Sequence, residues 1–231
     1  MEFNGYKAVS RTAGRASINI YNADCMDLLK QVPDNYYSLS ITDPPYGIGD
    51  FRQGGSRRAH DSISWNDGIP SAEYFAELER VSVNRIIWGA NYYGQHIKDV
   101  GRIVHDKTGG QRRKQLKELS DADIASHSFG VNIKLFAFLW QGTSTGRKIP
   151  FHTLKRIHPC EKPHELYKWL LSNYAKPGDT ILDTHLGSGS IAIACWDAGY
   201  DLDAWELDPD YYAGAVARLD KHKRQGQFEL T

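Results

Sequence analysis

The sequence predicts an α/β protein: a mostly parallel sheet covered by helices on both faces. Three observations predict it. Short β-prone runs recur along the chain, helical patterns lie between several of them, and the run 180–183 passes through a glycine turn directly into an apolar, helix-like stretch. The 231 residues, 41% hydrophobic and 24% charged, suit a globular protein of one or at most two domains and exclude collagen, coiled coil and a disordered chain. No internal repeat, low-complexity tract or Pro/Gly/Ser-rich linker divides the sequence, so residues 1–231 read as a single domain.

Taken in order, the β-prone runs are Ser17–Tyr21, Ser38–Thr42, Arg85–Trp88, Ile103–His105, Ile133–Trp140, Thr180–Asp183 and Leu202–Trp205. Pro70-Ser71 opens a helical pattern with Phe75, Leu78 and Val81 on one face, because a hydroxyl before the first turn satisfies its free N–H groups. Pro163 opens a second, with Leu166, Trp169 and Leu170; the N–H that proline lacks has no partner in a first turn anyway. A third runs from Ser190 to Gly199, where glycine stops it. Asp208-Pro209 begins a fourth, carrying Tyr212, Ala215, Val216 and Leu219. Residues from about 107 to 158 break this alternation and read as an inserted, partner-specific region. The aromatic stretch Trp88-Gly89-Ala90-Asn91-Tyr92-Tyr93 reads as a strand end and core packing.

The longest purely apolar run, Leu135–Trp140, is far shorter than the roughly 20 residues that cross a bilayer, and the N-terminus has no basic flank before an apolar stretch. A cytoplasmic protein with no membrane partner is expected. Three cysteines, Cys25, Cys160 and Cys195, make neither a disulfide framework nor a paired zinc signature, and nine histidines show no HxH or HxxxH spacing, so no metal is expected. The 28 basic residues balance 28 acidic ones, which on average disfavours a polyanion partner. That average conceals three acid-free basic stretches. Residues 51–59 hold Arg52, Arg57 and Arg58; residues 107–117 hold Lys107, Arg112, Arg113, Lys114 and a further lysine; residues 142–156 hold Arg147, Lys148, Lys155 and Arg156. Gathered on one side they would offer twelve positive charges to a phosphate backbone; pointing in three directions they would merely be solvated.

Two sites carry chemistry. Thr42-Asp43-Pro44-Pro45-Tyr46 follows the strand-like run 37–41. Two successive prolines fix φ and remove two backbone donors, so the strand end displays carbonyl oxygens and the Asp43 carboxylate beside an aromatic ring. Such an acceptor cluster suits a planar substrate with an exocyclic amine, whose N–H groups donate to Asp43 and the Pro44 carbonyl while the ring stacks on Tyr46. The plainer reading is a strand-ending turn with a surface tyrosine. At the second site Asp183 ends a strand-like stretch, Gly187 and Gly189 form a turn, and Ser190 starts the helix-like stretch. Glycines let the backbone approach a ligand closely, and a helix N-terminus offers N–H groups. The turn lacks both the lysine of a phosphate-binding loop and the third glycine of a dinucleotide fingerprint. Glu206, ending the next strand-like run, is placed to accept from both hydroxyls of a ribose. Together these features suggest a nucleoside-containing cofactor without a pyrophosphate.

With Asp43-Pro-Pro-Tyr46 first and Asp183-Thr-His-Leu-Gly-Ser-Gly-Ser190 last, the chain resembles the beta group of S-adenosylmethionine-dependent DNA amino-methyltransferases, which modify adenine N6 or cytosine N4. The resemblance runs from Ile18 to Leu219. Tyr21-Asn22-Ala23-Asp24-Cys25 is similar to the family's cofactor-adenine segment, and His158-Pro-Cys-Glu-Lys162-Pro163 to its H-P-x-x-K-P entry to the helix before the cofactor strand. The resemblance implies a class I methyltransferase fold: a doubly wound, Rossmann-like sheet of seven strands in permuted chain order. The target-recognition region would lie between Asp43 and Lys162, where the basic runs fall. It implies that Asp43, Pro44 and Tyr46 hold a flipped base, with Pro45 shaping the turn. Asp24, Cys25, Asp183, His185, Gly187, Gly189, Ser190, Glu206 and Lys162 would hold the cofactor, and the basic residues named above would contact duplex DNA. One departure stands out: the family usually has Pro-Phe where this chain has Thr184-His185.

The implied reaction follows from the chemistry of an aromatic amine, whose lone pair is delocalised into the ring. Hydrogen bonds from its N–H groups to Asp43 and Pro44 favour a tetrahedral nitrogen aimed at the sulfonium methyl, so transfer is direct, with no covalent intermediate and no metal. Family members with aspartate at position 43 mostly modify adenine, whereas cytosine enzymes more often carry serine there. N6-adenine is therefore the expectation; N4-cytosine and a catalytically silent nucleic-acid-binding fold are the alternatives. Pro159-Cys160 does not signal cytosine C5 chemistry, because that family's Pro-Cys pair follows the cofactor turn and this one precedes it. Many relatives are dimers, which leaves a homodimer open.

Overall fold

The computed structural model describes residues 3–13, 16–49, 68–111, 120–141, 144–145, 158 and 160–228. Its elements, in chain order, are β1 (Val9–Ala13), β2 (Ala16–Asn22), α1 (Cys25–Leu29), β3 (Tyr37–Thr42), α2 (Ala72–Val81), β4 (Ser82–Trp88), β5 (Gly101–Asp106), β6 (Ala122–His127), β7 (Ile133–Ala137), β8 (Trp140–Gln141), β9 (Ser144–Thr145), α3 (His164–Tyr174), β10 (Thr180–Asp183), α4 (Ser190–Ala198), β11 (Asp201–Glu206) and α5 (Pro209–Phe228). The principal sheet has the order β1-β2-β11-β10-β3-β4-β6-β5-β7. Its centre, from β2 to β4, is parallel throughout; β6 is antiparallel to both of its neighbours.

The expected seven strands become nine in this sheet among the described residues. β1 extends one edge as a hairpin partner of β2, from Val9↔Ile20 to Ala13↔Ala16, and β7 extends the other beside β5. An edge strand is held by one backbone ladder and needs little apolar patterning, which is why Val-Ser-Arg-Thr-Ala passes unnoticed in the sequence. Residues 122–127 and 133–137 lie within the stretch read as an insertion, yet both pair into the sheet. β6 carries Ser126 and His127 in buried positions, so it lacks the alternation that announces a strand. The run Ile133–Trp140 also proves shorter. The strand stops at Ala137, and Phe138 N–H turns to the Asp106 carbonyl at 3.0 Å.

Side chains alternate across the sheet. Ile18, Ile20, Leu39, Ile41, Ile86, Ile181, Leu202 and Ala204 face α3, α4 and α5; Tyr21, Ile87, Leu182 and Trp205 face α1 and α2. Burial of each leucine-sized chain contributes about 1.5–3 kcal/mol. Ser71 caps α2 by accepting from Tyr74 N–H at 3.2 Å, and Gly199, at φ +78, ends α4. β10 leads through α4 to β11 on one side, whereas β3 is followed by α2 and β4 on the other, and α2 and α4 cover opposite faces. The connections therefore part between β10 and β3, and it is at the carboxyl ends of such a switch point that open α/β sheets hold ligands. Among the described residues no helix is long and apolar enough to cross a membrane.

Candidate functional site

β3 and β10 are paired in register, Ile181↔Leu39 and Leu182↔Ser40, so Asp43 and Asp183 emerge at the same end of the sheet. Thr42 and Thr184 bridge the two strand ends with hydroxyl oxygens 2.7 Å apart, and the Tyr74 hydroxyl stands 2.7 Å from that of Thr184. Asp43 accepts from the Tyr46 hydroxyl at 2.5 Å and is ion-paired with Lys162, whose side chain is 5% exposed. The Lys162 ammonium also donates to the Tyr46 oxygen at 3.1 Å and stands 5.3 Å from the centre of the Trp88 ring. Burial alone would lower the pKa of Lys162, but the carboxylates of Asp43 and Asp123 overcome it and hold the group above its ordinary value. Burial, reinforced by Asp43, pushes the Tyr46 hydroxyl well up, so it remains a donor.

The Tyr93 hydroxyl reaches the carbonyls of Pro44 at 2.5 Å and Pro45 at 2.7 Å. The acceptors at this strand end are thus already engaged by the protein's own donors, which corrects the picture of an open display. A carboxylate has about four lone-pair sites and a carbonyl two, so Asp43 and Pro44 each retain capacity for another N–H. Tyr92 lies flat on Tyr46, with ring centres 4.7 Å apart and planes at 14°. Gly89, at φ +84, permits this packing: a Cβ there would lie 2.5 Å from the Tyr46 ring.

One strand over, Asp183 is 2% exposed and accepts from His185 N–H at 3.0 Å. Burial pushes its carboxyl up to about 8, with the Asp43 and Glu206 charges adding to the shift. Glu206 accepts from Gly187 N–H at 2.7 Å and Asp208 N–H at 2.9 Å, and burial raises its carboxyl too. Gly187 and Gly189 have φ of +52 and +74, and a Cβ on Gly189 would lie 3.0 Å from Ala215, so this glycine also lets α5 close on the turn. Ser190 opens α4, its hydroxyl 3.2 Å from that of Ser188. Arg218 ties the turn down by donating to the Ser188 carbonyl at 2.9 Å and pairing with Glu161 at 3.1 Å. Burial lowers His185 to about 4, leaving it neutral, with Nδ1 2.9 Å from the Thr184 hydroxyl and its ring edge-on to Tyr74. Asp24 caps α1 by accepting from Met26 N–H at 2.8 Å, and burial pushes the neighbouring Cys25 thiol up to about 12. Asp183 and Glu206 are met by backbone N–H groups where Asp43 is met by an ammonium; such a set suits a ligand bearing positive charge and hydroxyls.

Two of the residues singled out in the sequence stand elsewhere than anticipated. Lys162, set with the cofactor group, stands on Asp43, because a buried ammonium needs a carboxylate and Asp43 supplies the direct contact. Lys107, anticipated at a phosphate backbone, is 17% exposed and paired with Asp123 at 2.9 Å. Arg52, Arg57, Arg58, Arg112, Arg113, Lys114, Arg147, Lys148, Lys155 and Arg156 lie outside the described residues. Sequence reasoning missed Tyr92, Tyr93, Asp123 and Arg218. The stretch 88–93 is core at Trp88 and Tyr93, but Tyr92 is 38% exposed and belongs to the site. Arg218 could have been noticed as a charge on the Ala215–Leu219 stripe of α5. Among the described residues no group of three or more His, Cys, Asp and Glu side chains could hold a metal ion.

Residues 112–217 match the protein-family model described as DNA methylase. The chain is 26% identical to the type II methyltransferase M.HinfI of Haemophilus influenzae over 88% of this chain and 68% of that protein. It is 23% identical to the type II methyltransferase M.BglII from Bacillus subtilis, over 83% of this chain and 66% of that one. The chain thus spans about two thirds of the length of these relatives. Among solved structures, the M1.HpyAVI–SAM complex aligns with a TM-score of 0.55 at 20% identity, covering 87% of this chain and 100% of the other. The cytosine-N4-specific PvuII DNA methyltransferase aligns with a TM-score of 0.56 at 12% identity, covering 92% of each. At these identities the structural likeness speaks for the fold alone.

Proposed function

From the match of residues 112–217 to the family model described as DNA methylase, we propose that this chain transfers the methyl group of S-adenosylmethionine to the N6 amine of an adenine extruded from duplex DNA. The observation that carries this reading is the juxtaposition of two acceptor clusters: Asp43 with the Pro44 carbonyl at the end of β3, and Asp183 with Glu206 at the ends of β10 and β11. The second cluster fits the cofactor. A sulfonium and an ammonium suit two acids, Asp183 and Glu206, that have no cationic partner among the described residues, and ribose hydroxyls suit the remaining lone pairs of Glu206. Gly187, Gly189 and Ser190 would bring the backbone of the α4 N-terminus against it.

Bound S-adenosylmethionine supplies an electrophilic methyl group on a sulfonium. Everything else falls to the chain's own residues. Asp43 and the Pro44 carbonyl accept from the two N–H groups of the incoming amine, which draws the nitrogen lone pair out of conjugation and aims it at the methyl. Tyr93 fixes both proline carbonyls, and the Tyr46 ring, backed by Tyr92, offers a flat apolar surface to the base. Direct attack by the amine nitrogen, with the methyl leaving sulfur and the Asp43 carboxylate taking the proton the nitrogen sheds, would need no nucleophile of the enzyme. Cys25, held as a thiol by burial, and the exposed Cys160, whose thiol is also raised, are not in demand. Residues 1–231 form one catalytic unit in this reading, with target recognition supplied from the stretch between Asp43 and Lys162, chiefly 107–158.

An acceptor pair alone greets the amine of cytosine as readily as that of adenine, and the PvuII enzyme that shares this fold is cytosine-N4-specific. The decisive experiment incubates the protein with unmethylated duplex DNA and S-adenosylmethionine, digests the DNA to nucleosides and identifies the methylated species by mass spectrometry, with Asp43→Asn as control. N6-methyldeoxyadenosine is expected. N4-methyldeoxycytidine would overturn the choice of base and keep the mechanism; no methylated nucleoside would overturn the reading.

A further inference from the structure

Lys162 lies in a Glu-Lys-Pro sequence just ahead of α3, where nothing local demands that it be buried. Its side chain is nevertheless 5% exposed. A buried ammonium is tolerated only where its charge is met, and here two carboxylates from different strands meet it: Asp43 at the end of β3 and Asp123 on β6. Asp123 is itself engaged by Lys107 at 2.9 Å. The Trp88 ring, its centre 5.3 Å from the ammonium, and the Tyr46 hydroxyl, which accepts from it at 3.1 Å, stand beside it.

The two oxygens of Asp43 are held from two sides. Oδ1 accepts from the Tyr46 hydroxyl at 2.5 Å, and Oδ2 accepts from Lys162. A carboxylate held on one oxygen can still turn about its terminal bond; held on both, it keeps its remaining lone pairs in fixed directions. We propose that Lys162 is a positioning residue for the amine: acting through Asp43, it pairs with that carboxylate and fixes its orientation, and it has no part in holding the cofactor. The assignment rests on the methyltransferase reading above. A neutral donor could orient Asp43 but would leave a buried negative charge without a counter-charge, and a cation elsewhere could balance the charge without orienting it. Lysine at 162 does both at once.

The test measures steady-state methylation of duplex DNA by the full chain, together with S-adenosylmethionine affinity by calorimetry. Lys162→Met is expected to lower kcat roughly 100-fold. The cofactor Kd and the KM for DNA stay within about threefold, since a group that works only on the reacting amine leaves ground-state binding alone. Lys162→Arg, which restores a cation able to grip a carboxylate, is expected to return kcat to within roughly tenfold of wild type. Lys162→Gln, a donor without charge, falls between the two. Should Lys162→Met fail to fold, the Arg and Gln variants decide the matter, with Arg required to be the more active. A full-speed Lys162→Gln, a loss carried by the cofactor Kd instead of kcat, or a folded Lys162→Arg no better than Gln would each overturn the assignment. A wild type that methylates nothing overturns the reading beneath it, whereas an active wild type with indifferent variants overturns the assignment alone.

Discussion

At the end of β3 a half-buried acid is met by an ammonium; at the end of β10, one strand away, a buried acid is met by a backbone N–H and keeps its proton up to about pH 8. Asp43 follows, and Asp183 ends, a short strand in the middle of the same sheet, so the difference comes from what the neighbouring elements bring. The entry to α3 delivers Lys162 to Asp43, while Asp183 receives the His185 N–H and the Thr42 hydroxyl, both uncharged. In the proposed reaction the contrast separates two tasks. A permanently paired carboxylate is a fixed acceptor for a neutral amine, whereas an acid that keeps its proton in the free protein acquires its charge when a cation arrives.

Breaking the first arrangement has the largest expected effect. Asp43→Asn keeps the size of the side chain but removes its charge; methyl transfer falls by roughly 10³-fold or more, while the S-adenosylmethionine Kd stays within a few-fold, as measured by single-turnover methylation and calorimetry. Breaking the second arrangement exchanges the pattern. Glu206→Gln weakens cofactor binding by roughly 10- to 100-fold, the cost of a hydrogen bond to a charged group, and leaves kcat at saturating cofactor nearly unchanged. A variant that lost kcat instead would assign Glu206 to the chemistry.

A smaller effect tests the support beneath Asp43. Tyr93→Phe deprives two carbonyls of their donor and costs about 1–3 kcal/mol of stability, read from the midpoint of chemical unfolding. The last prediction sharpens the comparison through pH. Because the carboxyl of Asp183 is raised from 3.8 to about 8, the folded protein holds a proton that the unfolded chain has lost, and this stabilisation, full below the unfolded pKa, disappears as pH rises toward 8. His105, His158 and His185, each lowered from 6.5 to about 4 by burial, act in the opposite sense, but only below about pH 6.5. Between pH 6.5 and 8 the ligand-free protein therefore loses thermal stability, and Asp183→Asn lacks that slope. In calorimetry at pH 7, S-adenosylmethionine binding releases up to one proton, seen as a dependence of the apparent enthalpy on buffer ionisation. Equal slopes in wild type and Asp183→Asn would show that the proton resides elsewhere.

Much of the central sheet was legible because its signals are local. Ser38–Thr42, Thr180–Asp183 and Leu202–Trp205 each lie within an observed strand, and the helix starts at Ser71, Pro163 and Ser190 agree with the structure to a residue or two. The edges were not legible. β1 and β6 owe their place to backbone ladders and to neighbours that bury Ser126 and His127, and no apolar period reveals either.

The site divides along the same line. The sequence by itself determined where the Pro44-Pro45 pair strips donors from a strand end, where Gly187 and Gly189 turn with positive φ, and where Gly199 stops a helix, since steric limits on φ and the capping of free N–H groups act within a few residues. Only the tertiary structure decided what those features face. Lys162 finds Asp43 across 119 residues, Tyr93 finds Pro44 across 49, and Arg218 finds Ser188 across 30. Such partners are chosen by the order of strands in the sheet and by the need of each buried charge or hydroxyl for a counterpart, which no local pattern encodes.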